Sequence, residues 1–213
     1  MSSLDIEQGS DAWRQIRLGR VTASRVDDVV AKTKTGWGAS RANYMAELIA
    51  ERLTGSPAQQ YTNAAMQWGT DKEPEARAAY SFHADAVVIQ VGFVPHPRID
   101  MAGASPDGLV NDDGLLEVKC PNTATHIDTL LGGKVPEKYV LQMQFQMACT
   151  GREWCDFVSY DPRMPEEMRL FIKRVERDDA TIGKLEAEVS DFLAHLDINV
   201  GELLVLYGGR AAA

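Results

Sequence analysis

Residues 104–121, Ala-Ser-Pro-Asp-Gly-Leu-Val-Asn-Asp-Asp-Gly-Leu-Leu-Glu-Val-Lys-Cys-Pro, constrain the fold more than any other stretch of the chain. Two short apolar runs, Gly108-Leu109-Val110 and Leu115-Leu116-Glu117-Val118, flank Asn111-Asp112-Asp113-Gly114, whose residue types favour a turn. The pattern predicts a β-hairpin with Asp107 at the start of its first strand and Glu117 and Lys119 on its second. Side chains alternate along a strand, so Glu117 and Lys119 point to one face. Two carboxylates and an ammonium are thereby drawn together among apolar residues. An ordinary hairpin keeps such charges on its wet side, whereas a cation site turns them inward.

The flanking sequence predicts what covers this hairpin. Ser10-Asp11 opens a short helix through Arg17 that stops at Gly19, and Thr22 or Ser24 opens another with Val26, Val29 and Val30 on one face. Residues 39–54 carry Tyr44, Leu48, Ile49 and Leu53 at helical spacing before Gly55. A helix over 62–83 follows, in which Pro74 marks a kink or the first turn of a separate helix. Strands are expected at 86–91, at 101–104 and in the hairpin arms. Helices follow at 124–131 and 136–150, strands at 153–160 and 168–175, and a last helix at 180–196 capped by Asp178 or Asp179. The order predicts an α/β fold, a central mixed β-sheet flanked by helices, as a single domain over 1–213 with 208–213 disordered. Trp13, Trp68 and Trp154 are expected in the core. His83, His96, His126 and His195 have no ligand spacing and are expected at surface or capping positions.

Charge narrows the partners. A net charge of -9 argues against nucleic acid, which favours a basic footprint. The distribution reverses part of that objection: residues 12–46 hold Arg14, Arg17, Arg20, Arg25, Lys32, Lys34 and Arg41 against only Asp27 and Asp28. A basic stretch on an acidic body fits a protein that holds DNA in one confined place, and on charge alone it equally fits a solvated helix. No apolar run approaches the roughly 18 residues of a membrane span. Cys120, Cys149 and Cys155 lack CxxC spacing and suit reduced thiols. With no signal-peptide pattern at Met1-Ser2-Ser3-Leu4, they give the expectation of a cytoplasmic protein.

Two carboxylates and the strand carbonyl of Val118 are hard oxygen donors, suited to Mg²⁺ or Mn²⁺. A divalent ion there lowers the pKa of water and neutralises a phosphodiester under attack. Lys119 either positions that water, stabilises developing charge or, with a depressed pKa, takes a proton. The Asp…Glu-x-Lys spacing alone recurs by chance in about one chain in ten to twenty at average usage.

With its surroundings, this segment resembles the catalytic core of the PD-(D/E)xK nuclease superfamily. The whole chain resembles the lambda-exonuclease and YqaJ-type viral recombinase family. The resemblance rests on blocks in one order. These are Glu7-Gln8-Gly9 with Asp11-Ala12-Trp13, Arg17-Leu18-Gly19 with Thr22-Ala23-Ser24, and Trp68-Gly69 with Glu73 and Ala76-Arg77. Ser105-Pro106-Asp107-Gly108, Glu117-Val118-Lys119-Cys120-Pro121, Tyr139 with Gln142 and Gln144, and Tyr160-Asp161-Pro162-Arg163-Met164 follow.

The resemblance implies that Asp107, Glu117 and the Val118 carbonyl bind metal, that Lys119 is the catalytic lysine, and that Glu73 adds an acidic group. It further implies that Arg17, Ser24 and Ser105 hold a 5′-terminal phosphate, that Gln142 and Tyr139 border the site, that Met66 is a wedge and that Lys34 contacts DNA. The expected function is a Mg²⁺-dependent 5′-to-3′ exonuclease acting on double-stranded DNA ends with a 5′ phosphate. It is expected as a homotrimer in a bacterial host, phage or prophage encoded, working with a single-strand annealing protein. A restriction-type endonuclease and a non-catalytic DNA-end-binding subunit are the alternatives.

Overall fold

The computed structural model describes residues 2–34, 36–57 and 63–208. The Ser10 hydroxyl accepts from the Trp13 N–H and so opens helix α1 (Asp11–Arg17). Strand β1 (Val21–Thr22), a 3-10 turn and helix α2 (Val26–Val30) follow. A ribbon, β2 (Lys32–Thr33) and β3 (Gly36–Trp37), precedes α3 (Ala39–Thr54), which ends on Gly55 at φ 65°, a left-handed cap that glycine adopts freely. Asn63 caps α4 (Ala64–Ala84). Short strands β4 (Val88–Ile89), β5 (Val94–Pro95) and β6 (Ala102–Ala104) lead into the hairpin, β7 (Gly108–Val110) and β8 (Gly114–Lys119). Helices α5 (Thr123–Gly132) and α6 (Glu137–Thr150), strands β9 (Trp154–Tyr160) and β10 (Leu170–Glu176), and helix α7 (Asp179–Tyr207) follow.

The hairpin lies at the heart of a five-stranded mixed sheet ordered β10-β9-β8-β7-β4. β8 runs antiparallel to β7 and parallel to β9, and the parallel pairing needs a crossover, which α5 and α6 provide. Alternation gives β8 two different faces. Leu115 and Glu117 face α6, where Leu115 joins Met143, Met147 and Phe157 in one apolar cluster. Leu116 and Val118 face α4, where they join Ala76, Tyr80 and Val158 in another. A third cluster, around Tyr44, Leu48, Phe145 and Phe192, binds α3, α6 and α7 to a three-stranded sheet ordered β1-β6-β5. Each face of the hairpin therefore has its own helical cover.

Several expectations need correction. The strand expected at 86–91 contains only Val88 and Ile89 in pairing, because it lies at the sheet edge and its one neighbour there, β7, is three residues long. Pro74 neither ends nor divides α4, which is helical from Ala64 to Ala84; Thr62, the expected start, lies outside the described residues. The last helix runs on to Tyr207, eleven residues beyond Leu196, since nothing after Leu196 stops it. Of residues 208–213, only Gly208 is among the described residues, as the cap of α7. His96 and His126 are buried, not at the surface: His96 Nδ1 accepts the Arg98 and Ile99 N–H groups, and His126 bridges the Ser159 hydroxyl and the Met168 carbonyl, each at 2.8 Å. The three tryptophans are half-buried, each with a guanidinium over its ring: Arg17 on Trp13, Arg163 on Trp68 and Arg174 on Trp154.

Candidate active site

The hairpin turn sets the register of the site. Asn111, at φ 46°, takes the left-handed conformation that asparagine tolerates, and its side chain accepts the Val87 N–H. Gly108 then lies opposite Leu116, and Asp107, one residue before β7, still donates its N–H to the Leu116 carbonyl at 3.1 Å. The Asp107 side chain reaches along β8, where Oδ2 accepts the Val118 N–H at 2.6 Å.

Glu117, 1% exposed, is held from α6: Gln142 Nε2 donates to its Oε1 and Gln146 Nε2 to its Oε2, each at 2.7 Å. Lys119 Nζ forms an ion pair with Oε1 of Glu117 and lies 5.1 Å from the centre of the Tyr139 ring. Tyr139 stacks on Phe157, the residue opposite Glu117 in the β8–β9 ladder. Glu73 pairs with Arg77, one turn further along α4, and its charge still reaches Asp107.

Burial, then the Glu117 charge, pushes the Asp107 carboxyl well above its ordinary range; Lys119 and the Val118 N–H oppose this, and Glu73 adds to it. Burial acts on Lys119 in the opposite sense, but Glu117 and Asp107 outweigh it and hold the ammonium above its usual value. Two carboxylates thus share one ammonium, and among the described residues Asp107 Oδ1 accepts no hydrogen bond. This donor set fits a divalent cation that keeps water or substrate ligands. Among the described residues no three His, Cys, Asp or Glu side chains converge on one point.

A second feature lies beside the hairpin. Arg17 and Ser24 line a pocket of about 280 Å³ together with Trp13, Thr22 and Tyr44. The Arg17 guanidinium stacks 3.8 Å above the Trp13 ring and makes no hydrogen bond among the described residues. Burial lowers its pKa to about 10, against the raising effect of Tyr44 and Glu51, so it stays cationic at neutral pH. Ser24 Oγ lies 3.3 Å from Thr22 Oγ1. Trp13 Nε1 donates to Ser105 Oγ at 2.9 Å, which ties the pocket to the residue two before Asp107.

The structure thus brings Asp107, Glu117, Val118, Lys119, Gln142 and Tyr139 into one cluster with Glu73 at its margin, and links Arg17 to Ser105 through Trp13. Lys34 and Met66 stand apart. Lys34 is exposed in the turn between β2 and β3, and Met66, 56% exposed, lies two turns before Glu73 on α4. The basic stretch is also less free than its count implies: Arg14 pairs with Asp11, Arg25 with Asp28 and Glu47, Lys32 with Glu188 and Arg41 with Asp191. Two residues given no site role from the sequence matter here. Gln146 stands four after Gln142 and Trp13 four before Arg17, so helical spacing from a residue already chosen locates both.

A mixed α/β sheet carrying Asp107 before one hairpin strand and Glu-x-Lys on the next defines a nuclease of the PD-(D/E)xK type. A family model described as the YqaJ-like viral recombinase domain matches residues 12–153, and the chain belongs to that family. It is similar to the crystal structure of LHK-Exo in complex with dAMP, at 55% identity and a TM-score of 0.89 over 95% of this chain and 100% of that one. The alkaline exonuclease LHK-Exo from Laribacter hongkongensis, in a second crystal structure, matches at 55% identity and a TM-score of 0.88 over the same shares. A phage-related exonuclease from Haemophilus somnus 129PT shares the fold at 16% identity, with a TM-score of 0.69 over 89% of this chain and 99% of that one. No curated protein sequence matches the chain. Among the described residues no helix is long and apolar enough to cross a membrane. The chain is a nuclease of the phage-recombinase type that acts on DNA.

Proposed function

We propose that the chain is a Mg²⁺-dependent 5′-to-3′ exonuclease that digests one strand of linear double-stranded DNA to mononucleotides and leaves a 3′ single strand for annealing. The observation that carries this reading is the Trp13 bridge, whose ring underlies the Arg17 guanidinium while its N–H holds Ser105, two residues from Asp107. A hydrolytic centre tied to a receptor for a terminal phosphate works from ends. The 55% identity to an alkaline exonuclease over nearly the whole chain supports the same reading.

In this account Arg17, Ser24 and Ser105 hold the 5′ phosphate through a guanidinium and two hydroxyls. Asp107, Glu117 and the Val118 carbonyl hold Mg²⁺, or Mn²⁺ in its place, which when bound neutralises phosphodiester charge and makes water more acidic. Lys119, kept protonated by Glu117 and Asp107, stabilises negative charge developing on the phosphate. Gln142 orients Glu117, Tyr139 lies beneath the Lys119 ammonium, and Glu73 adds acidity at the margin. Lys34 follows the DNA backbone as a point charge and Met66 serves as an apolar wedge at the duplex end. The protein acts as a homotrimer around DNA in the host cytoplasm, in concert with a single-strand annealing protein.

A linear duplex with distinguishable labels at the two ends of one strand tests the polarity. With Mg²⁺ present, the 5′ label is expected to leave first as a mononucleotide while the 3′ label stays in long product. Early loss of the 3′ label would remove the role given to Arg17, and internal fragments would return the restriction-type endonuclease reading.

A further inference from the structure

Gln146 is 0% exposed, among the apolar side chains that join α6 to β8 and β9. A buried amide in such a place costs stability unless its hydrogen-bonding atoms are satisfied. Its Nε2 donates to Glu117 Oε2 at 2.7 Å, and its Oε1 lies 4.0 Å from Cys155 Sγ, a weak S–H donor. Burial, followed by the charges of Glu117 and Asp107, keeps that thiol protonated, so the sulfur side of the amide is its oxygen side and the nitrogen faces Glu117.

Gln142, one turn earlier, donates to the other carboxylate oxygen at the same distance. The two amides therefore grip both oxygens of Glu117 from one helical face. An ionised carboxylate offers about four acceptor positions. Gln142 and Lys119 occupy those of Oε1, and Gln146 takes one of Oε2, so Oε2 keeps one open. The donors are neutral. They fix the plane of the anion without cancelling its charge, as an arginine or a second lysine there would.

We infer that Gln146 is a positioning residue of the cation site, which with Gln142 holds the Glu117 carboxylate correctly turned to receive a divalent ion. This rests on the assignment of Glu117 as a metal ligand. Partners that orient metal-binding groups in this way contribute about 10- to 100-fold in metal affinity.

The test is a Mn²⁺ titration of the full chain without DNA, followed by the electron paramagnetic resonance signal of the free ion, for wild type, Gln146→Met and Glu117→Gln. Gln146→Met keeps the volume and removes the N–H. Its dissociation constant is expected to rise about 10- to 100-fold, and its nuclease activity to recover as Mn²⁺ is raised. A wild-type constant in Gln146→Met, with binding lost in Glu117→Gln, overturns the positioning role alone. Wild-type binding in Glu117→Gln overturns the site assignment as well. If circular dichroism shows that Gln146→Met does not fold, Gln146→Asn, one methylene too short to reach Glu117, carries the same expectation and the same refutation.

Discussion

Lys119 and Arg17 are both half-buried cations, and their surroundings assign them different work. Lys119 has two carboxylates close by and is held charged by them, whereas Arg17 rests on a tryptophan with no carboxylate hydrogen-bonded to it among the described residues. Lys119→Ala is therefore expected to lower cleavage by about 10²- to 10³-fold, the scale of losing one transition-state donor, while gel-shift binding of duplex ends persists. Loss of end binding together with cleavage would make Lys119 structural. Arg17→Ala is expected to abolish the preference for 5′-phosphorylated over 5′-hydroxyl ends, a loss of about 1.5–3 kcal/mol for a charge-assisted contact. In wild type, a short 5′-phosphorylated duplex should raise the melting temperature more than its 5′-hydroxyl counterpart, because an anion relieves the half-buried guanidinium. Equal shifts would contradict that role. The acids and Lys119 were legible from the period of two along a strand. Gln146 and Trp13 were not, since each looks like core until its partner on a distant segment is known.

At the scale of elements, the strand ends matter most. Gly114, at the start of β8, faces Trp154 across the ladder, and a methyl group there would come within 2.1 Å of the indole ring. Gly114→Ala is expected to cost about 1–3 kcal/mol in denaturant unfolding through overpacking, with a fall in activity as β8 moves against β9. Unchanged stability would show that Trp154 yields easily.

A second fastening joins the far ends of the same strands. Arg163 donates to both oxygens of Asp161, after β9, and to the Pro121 carbonyl, after β8, while stacking on Trp68 of α4. Burial alone would raise the Asp161 pKa, but the hydrogen bonds from Arg163 and Thr123 outweigh it and lower it to about 2. Because the folded value lies below the unfolded one, this stabilisation is present above about pH 4 and is lost as pH falls towards about 2. Arg163→Ala should thus cost about 1 kcal/mol or less at pH 7, the guanidinium being half exposed, and the variant and wild type should converge near pH 2. A difference independent of pH would assign the effect to packing on Trp68 instead. The sequence showed where helices start, through Ser10 and Asp178, and where they end, through Gly55 and Gly151, because caps are local. It did not show β1 or β5, two residues each, which are strands only because β6 lies between them. Nor did it show the true length of α7.

For the whole molecule, the acidic exterior and the few unpaired cations need a joint explanation. Among the described residues, Arg17, Arg20 and Lys34 of the basic stretch have no carboxylate partner. Three cations make a weak non-specific footprint for DNA. Enclosure within a trimer would keep the enzyme on its substrate without strong phosphate affinity. Light scattering in dilute buffer is accordingly expected to give three times the chain mass of 23.5 kDa; a monomeric mass would remove the enclosure argument while leaving the site intact.

The central claim is that a phosphodiester-cleaving hairpin is tied to a receptor for a DNA end. Its most direct test incubates linear 5′-phosphorylated duplex and covalently closed circular duplex of the same sequence with wild type and Lys119→Ala in Mg²⁺. Wild type is expected to shorten the linear form from its ends and leave the circle intact, and Lys119→Ala to shorten the linear form about 10²- to 10³-fold more slowly. Nicking or linearisation of the closed circle by wild type would contradict it.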